Sequence, residues 1–212
     1  MNFVNDFLSK HKHDGLADRV FRGLAVSPYL KDIAKLRVDT LKDYPYLYKG
    51  DIEKEVEHLE KTYLSSNDSW FLLYLSSAGV IGCIGITPLD MLPNEIKEPF
   101  IIKGLNISDY MYIGEAMLLR DYRDRGLFKN MLSFAEKQAK FAGKKNVVFS
   151  YVEREKMIDR YKRAGDSLWE KFGYTKITND PIERKWMRSD TRKIESNRLF
   201  LWGKPLDTGI RD

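Results

Sequence analysis

The tightest constraint on the fold is a junction in the middle of the chain. Tyr110-Met111-Tyr112-Ile113-Gly114-Glu115-Ala116-Met117-Leu118-Leu119 has the apolar and aromatic character of a strand. Arg123-Asp124-Arg125-Gly126-Leu127-Phe128 follows and opens a long amphipathic segment that reaches about Ala142. Within it Phe128, Met131, Leu132, Ala135, Ala139 and Ala142 fall on one stripe at helical period, while Lys129, Asn130, Ser133, Glu136, Lys137 and Lys140 fall on the other. Gly143 supplies a C-cap. A glycine turn at the start of a helix leaves the first backbone N–H groups pointing outward and aims the positive end of the helix dipole at one spot. Such a spot suits a phosphate. A plain strand-turn-helix unit meets the same pattern and stands as the alternative. No lysine-serine or lysine-threonine pair follows at Walker spacing and no G-x-G-x-x-G occurs, so nucleoside triphosphate and dinucleotide cradles find little support.

The rest of the chain alternates helical and strand patterns around this junction. Residues 20–26 read as a first strand, Ser27-Pro28 as a helix entry, and Leu30, Ile33, Ala34, Leu36, Arg37 and Leu41 as a helix that Tyr44-Pro45 stops. Asp51 is placed to cap a second helix, with Ile52, Val56, Leu59 and Tyr63 as its apolar face. Residues 70–75 and 80–88, separated by Ser76-Ser77-Ala78-Gly79, give a hairpin signal. Residues 89–108 carry Pro93 and Pro99 and read as a long irregular connection. Residues 146–152 form an apolar strand pattern, 153–164 are highly charged without a clear period, 166–172 read as a short helix, and 174–178 and 198–202 as strands. Helices between strands on both sides of the junction indicate α/β or α+β architecture with a mixed sheet. A polar arm over residues 1–18, with Phe3, Phe7 and Leu8 as anchors, and a single domain over 19–212 are expected.

Composition narrows the function classes. The one cysteine excludes an internal disulfide and a cysteine-rich metal site; Cys83 lies in the apolar run Gly79-Val80-Ile81-Gly82-Cys83-Ile84-Gly85-Ile86 and reads as a buried inert thiol. His11, His13 and His58 lack the spacing of a zinc site or a Ser-His-Asp relay. A net charge of +5 favours anionic ligands, and coenzyme A and nucleic acid would both be attracted. No aromatic-basic RNA signature or helix-turn-helix pattern is present, so no nucleic-acid partner is expected. No apolar run approaches the roughly 18 residues of a membrane span, and the N-terminus has no signal-peptide pattern. A cytoplasmic location with no membrane partner follows as the expectation.

Two motifs sharpen this reading. Arg123-x-x-Gly126-x-Phe128 after a hydrophobic strand resembles the R/Q-x-x-G-x-G/A pyrophosphate loop of the GNAT (GCN5-related N-acetyltransferase) superfamily, with Phe128 where glycine or alanine is usual. Leu168-Trp169-Glu170-Lys171-Phe172-Gly173-Tyr174 is similar to its L-Y-x-x-x-G-F segment, with Trp169 in place of the tyrosine. Tyr44-Pro45-Tyr46-Leu47-Tyr48-Lys49-Gly50-Asp51 and Met111-Tyr112-Ile113-Gly114-Glu115-Ala116 resemble Y-P-Y-L-Y-D-G-D and F-Y-x-G-E-S segments of a narrower group. The matches extend over roughly residues 33–206.

The resemblance implies a mixed, mostly antiparallel sheet, with a splayed parallel pair formed by residues 110–119 and 146–152 and flanked by helices. It implies an N-acetyltransferase that takes acetyl-CoA as co-substrate, needs no metal and acts on a primary amine of a small molecule or peptide, as a monomer or homodimer. Pyrophosphate contacts would come from Arg123, Asp124, Arg125, Gly126, Leu127, Phe128 and Lys129, and pantetheine contacts from the backbone of Met117 and Leu118. Tyr44, Tyr46, Tyr48 and Asp51 make an aromatic, acidic cluster suited to a cationic amine. The alternative is a GNAT fold that binds or senses acyl-CoA without turnover, to which the Phe128 and Trp169 departures point.

Acetyl transfer to an amine needs a proton acceptor. Glu115 lies in an otherwise apolar strand, where desolvation raises a carboxyl pKa toward the useful range; its other reading is a partner for a neighbouring arginine. Strict alternation puts Glu115 with Ile113 and Met117 on one face, and Tyr112 with Tyr110 and Leu118 on the other, unless a bulge resets the parity. Tyr112 is therefore the rival group. If Trp169 occupies a general-acid position, its indole N–H donates a hydrogen bond but supplies no proton, which leaves Tyr161 or water; packing is its other role.

Overall fold

The structure, a computed structural model, describes residues 16–154 and 165–207. Phe3, Phe7, Leu8, His11, His13 and Tyr161 lie outside the described residues. The strands are β1 (Ala17–Arg22), β2 (Trp70–Ser76), β3 (Gly79–Pro88), β4 (Tyr110–Leu118), β5 (Asn146–Val152), β6 (Thr175–Lys176), β7 (Ile182–Met187) and β8 (Ile194–Pro205). The helices are α1 (Leu30–Leu41), α2 (Ile52–Leu59), α3 (Asn94–Ile102), α4 (Leu127–Phe141) and α5 (Gly165–Lys171). Eight strands form one sheet in the order β1-β2-β3-β4-β5-β8-β6, with β7 on β8. β1–β2, β2–β3, β5–β8, β6–β8 and β7–β8 are antiparallel, and β4–β5 is parallel. The parallel register is Tyr110↔Asn146, Met111↔Val147 and Tyr112↔Val148, past which β4 goes on to Leu118 and β5 to Val152. This is the mixed sheet with a central parallel pair that the sequence implies.

Two compact units divide the chain. The first takes residues up to Thr40, Asp51–Thr87 and Ile113–Gln138. β1 begins earlier than expected and gives way at Gly23, where φ is +52°, to the 3-10 segment Gly23–Tyr29. α1 buries Leu30, Ile33, Ala34 and Leu36 on one face. Asp51 caps α2, its side chain accepting from the Lys54 N–H at 3.1 Å. α2 then widens into a π turn, Glu60–Leu64, which sets the buried Tyr63 edge-on to Phe71 at 4.6 Å. Gly82 of β3 permits a close approach: a Cβ there would lie 2.5 Å from Leu118 Cδ1 and 3.0 Å from Met131 Cε.

The second unit takes Leu41–Gly50, Pro88–Tyr112 and the chain from Ala139 onward. Leu89, Leu92, Phe100, Tyr112, Val148 and Leu201 make its core. Residues 89–108 are not an irregular connection. They hold α3 between the 3-10 turns Leu89–Met91 and Ile107–Asp109. Pro93 stands immediately before the helix, where its fixed φ and missing N–H cost little, and the fully buried Phe100 anchors a helix that contains Pro99. α4 ends as expected at Gly143, where φ is +70°. The Gly143 N–H reaches Lys140 O and the Lys144 N–H reaches Ala139 O, both at 2.9 Å, which is a Schellman cap. β7 is a strand the sequence did not announce, and β8 is longer than residues 198–202.

Candidate active site

In the first unit, β4 hands the chain to a 3-10 turn, Arg120–Tyr122, and then to two residues in the left-handed region, Asp124 at φ +62° and Gly126 at φ +77°. α4 starts at Leu127, and its first i→i−4 bond runs from the Asn130 N–H to Gly126 O at 3.2 Å. The amides of the first turn thus lie ahead of the helical ladder, at its positive end. A Cβ at Gly126 would meet nothing within 4 Å, so the backbone angle, not room, selects glycine there. The Leu119 N–H bonds Ile81 O at 2.9 Å and fixes the end of β4. Arg123 turns back to donate through Nε to Leu118 O at 3.2 Å. Arg125 donates to Asp121 O at 2.9 Å and lies over the Tyr122 ring at 5.3 Å. Both arginines brace the turn and give it positive charge. Leu127 is fully buried and Phe128 only half-buried, so the apolar stripe is phased one residue earlier than expected at its start, with Phe134 also on it.

Glu115 is 2% exposed and sits in a charged cluster of the same unit. Its Oε2 accepts from Arg37 Nη1, while Arg37 Nε bonds Glu55 Oε2 at 2.5 Å. Its Oε1 accepts from the Tyr63 hydroxyl at 3.4 Å and lies 4.0 Å from His58 Nε2. Ile113, Glu115 and Met117 are buried, whereas Gly114 and Ala116 between them are exposed, so alternation holds across this stretch of β4. Burial pushes the Glu115 carboxyl above its ordinary range; Arg37 pulls it down without cancelling the rise, and Glu55 adds to it. Burial opposes the Arg37 charge, yet Glu115 and Glu55 together leave its pKa raised. Cys83 is fully buried, and burial followed by Glu115 pushes its thiol well up, which makes it inert at neutral pH.

The second unit holds Tyr112 and the aromatic segment. Tyr112 is buried, and its hydroxyl shares a 2.7 Å hydrogen bond with Ser150 Oγ. Tyr44, Tyr46 and Tyr48 are half-buried. Arg154 fixes the segment, donating through Nε to Pro45 O at 2.8 Å, through Nη2 to Tyr46 O at 2.7 Å and through Nη1 to Asn197 Oδ1 at 2.7 Å. Trp186 adds its indole N–H to Tyr46 O at 3.2 Å and stands edge-on to Tyr48 at 6.3 Å. Tyr46 is edge-on to Tyr151 at 6.3 Å. Trp169, 8% exposed, packs on Phe149 at 4.5 Å and against Tyr151 at 5.6 Å.

Sequence reasoning selected Glu115 but not Arg37, Glu55, Arg154 or Trp186. One signal was present for Arg37: a cation among the apolar positions of α1. Among the described residues no cluster of three or more histidine, cysteine, aspartate or glutamate side chains is placed to hold a metal ion. No helix among them is long and apolar enough to cross a membrane.

No protein-family model matches the chain, and no curated protein matches it. Solved structures do. An acetyltransferase from Streptococcus agalactiae is 14% identical, with 92% of this chain and 100% of that chain covered at a TM-score of 0.56. YncA of Salmonella typhimurium, solved with its cofactor acetyl-CoA, is 11% identical over 93% of this chain and 98% of its own, at 0.58. A GCN5-related N-acetyltransferase from Kribbella flavida is 16% identical over 91% and 99%, at 0.55. At such identities the likeness is one of fold. With its mixed sheet, its parallel β4–β5 pair and its flanking helices, the chain has the fold of the GNAT acetyltransferases.

Proposed function

We propose that the protein transfers an acetyl group from acetyl-CoA to a primary amine of a small molecule or peptide. The observation that supports this reading is the turn after β4, where two left-handed residues precede the N-terminus of α4, a place suited to an anion, on a fold shared with a protein solved with acetyl-CoA. Acetyl-CoA, when bound, supplies an activated thioester carbonyl. The backbone from Arg123 to Lys129 holds its pyrophosphate, with Arg123, Arg125 and Lys129 adding positive potential, and the backbone of Met117 and Leu118 binds the pantetheine arm. Glu115 takes the proton of the attacking amine, and Tyr112 is the next candidate for that role. Tyr44, Tyr46 and Tyr48 offer aromatic faces, and Asp51 a carboxylate, to a cationic amine. Trp169 packs and moves no proton. The protein works in the cytoplasm as a monomer or homodimer.

Release of free thiol from acetyl-CoA in the presence of an amine panel tests the reading. Gly126→Pro removes a backbone donor and distorts the turn, so coenzyme A binding is lost, whereas Lys129→Ala weakens it modestly. Unchanged affinity in the proline variant would place the ligand elsewhere. Glu115→Gln keeps the shape and removes the basicity, so kcat falls by roughly 10²- to 10⁴-fold with coenzyme A affinity retained. Because burial raises the Glu115 pKa, the acidic limb of the wild-type pH-rate profile lies above the ordinary carboxylate value of about 4.3. The same shift means that the stability Glu115 contributes is complete below that value and is lost as pH rises through its folded pKa.

A second reading, an acyl-CoA sensor on the same fold, is favoured by the ion pair that engages Glu115 Oε2 with Arg37. Coenzyme A retained by the purified protein in native mass spectrometry, with no thiol release across the amine panel, would select it.

A further inference from the structure

We infer that Arg154 and Trp186 are positioning residues that set which amines the protein accepts, by holding the tyrosine segment as a short addition to the end of β7. The selecting role rests on the reading above that this segment meets the acceptor; the holding does not.

Residues 42–50 belong to no helix and no named strand. Two local bonds turn the chain back on the end of α1, from the Leu47 N–H to Asp43 O at 2.9 Å and from the Tyr48 N–H to Leu41 O at 2.8 Å. Further bonds tie its main chain to residues 108 to 147 positions away. The Lys49 N–H donates to Met187 O at 2.8 Å and the Ser189 N–H to Leu47 O at 2.7 Å, on either side of an antiparallel bridge between Tyr48 and Arg188. The segment thus joins β7 as an added strand joins a sheet edge, with main-chain bonds setting its register.

Side chains then clamp the residues just before that bridge. Arg154 spans Pro45 O and Tyr46 O with Nε and Nη2, and its Nη1 is held by Asn197 Oδ1. Asn197 is 1% exposed and is fixed in turn by donating to Glu195 O at 2.8 Å. Trp186, half-buried on β7, donates to Tyr46 O and sets its ring edge-on to Tyr48. Tyr46 O therefore accepts two donors, which engages both lone pairs and closes that carbonyl to a ligand amine. Recognition at Tyr46 falls to its ring, whose orientation depends on the two clamps. A ring held in place before the amine arrives binds it without a further ordering cost.

The experiment follows amide and indole signals of the full chain by NMR. The Lys49 amide reports on the segment in every variant, and the Trp186 indole signal is identified by its loss in Trp186→Phe, which keeps an aromatic ring and removes the donor. In Arg154→Lys the Tyr48 and Lys49 amides should exchange with solvent roughly tenfold faster, while those of the β5–β8 pair keep their rates. Titration with butylamine should move the Trp186 indole and Lys49 amide signals of the parent, and its Kd should weaken several-fold in both variants. With a verified amine, KM for the amine should rise several-fold in both, with kcat and the KM for acetyl-CoA kept, a split that a general loss of folded protein does not produce. Where Arg154→Lys does not fold, Trp186→Phe carries the test through the butylamine titration. Unchanged exchange in a folded Arg154→Lys would overturn the holding. Butylamine that leaves both signals in place, or binds the variants as tightly as the parent, would overturn the selecting role. An absence of turnover in the parent, with the butylamine shifts and their weakening intact, would sink the acetyl-transfer reading and leave this inference standing.

Discussion

Two polar assemblies among the described residues are built by opposite means. Around Glu115 in the first unit, side chains answer side chains: a guanidinium between two carboxylates, all of them withdrawn from water. Around Tyr44 to Tyr48 in the second unit, side chains answer backbone, with Arg154 and Trp186 donating to the carbonyls of Pro45 and Tyr46. The difference decides what each arginine is for. Arg37 supplies charge, without which two buried carboxylates face each other. Arg154 supplies shape, a planar fork that meets three acceptors at once.

Replacing the arginines separates the two cases. Arg37→Met should lower stability at neutral pH by about 3–5 kcal/mol in chemical denaturation, because it strands buried charge. Part of that loss should return on acidification, as the carboxylates take up protons. Arg37→Lys should recover much of it, since an ammonium restores the same positive charge between the two carboxylates. Arg154→Ala should cost about 2–3 kcal/mol for the three hydrogen bonds, and Arg154→Lys should recover little, because one ammonium cannot span the fork's acceptors. Equal recovery by lysine at both positions would erase the distinction. The smallest effect is expected at Asp51. Asp51→Ala should cost about 1 kcal/mol through the lost cap, and Asp51→Asn almost nothing. A higher KM for a cationic amine in the asparagine variant, with stability kept, would show that the carboxylate also meets the acceptor.

What the sequence made legible follows the same line. The junction from β4 into α4 could be read because its period changes from two to 3.6 within a few residues, and the cap at Gly143 because glycine there has a backbone reason. β7 escaped because Ile182-Glu183-Arg184-Lys185-Trp186-Met187 puts Arg184 at a position where alternation asks for an apolar residue. α3 escaped because Pro93 and Pro99 read as breakers, although one precedes the helix and the other sits where the burial of Phe100 outweighs it. Glu115 stood out as a carboxylate in an apolar strand. Its partner Arg37 is 78 residues away, and no local pattern encodes a pairing over that distance. The tyrosine segment was conspicuous for composition, but Arg154, which holds it, lies within the charged stretch 153–164 that has no clear period.

Gly82 and Gly126 are both glycines for which any ordinary residue is a poor exchange, but the obstacle differs in kind. At Gly82 the obstacle is other atoms, Leu118 Cδ1 at 2.5 Å and then Met131 Cε and the Met117 carbonyl at 3.0 and 3.2 Å, so trimming Leu118 to alanine would relieve only the nearest contact. At Gly126 there is no obstacle in space, only handedness, because φ +77° is a conformation that L-residues avoid and their mirror images prefer. A semisynthetic protein with D-alanine at that position would therefore stiffen the turn in its native shape, and chirality becomes a means of tuning the turn that no ribosomal variant can reproduce.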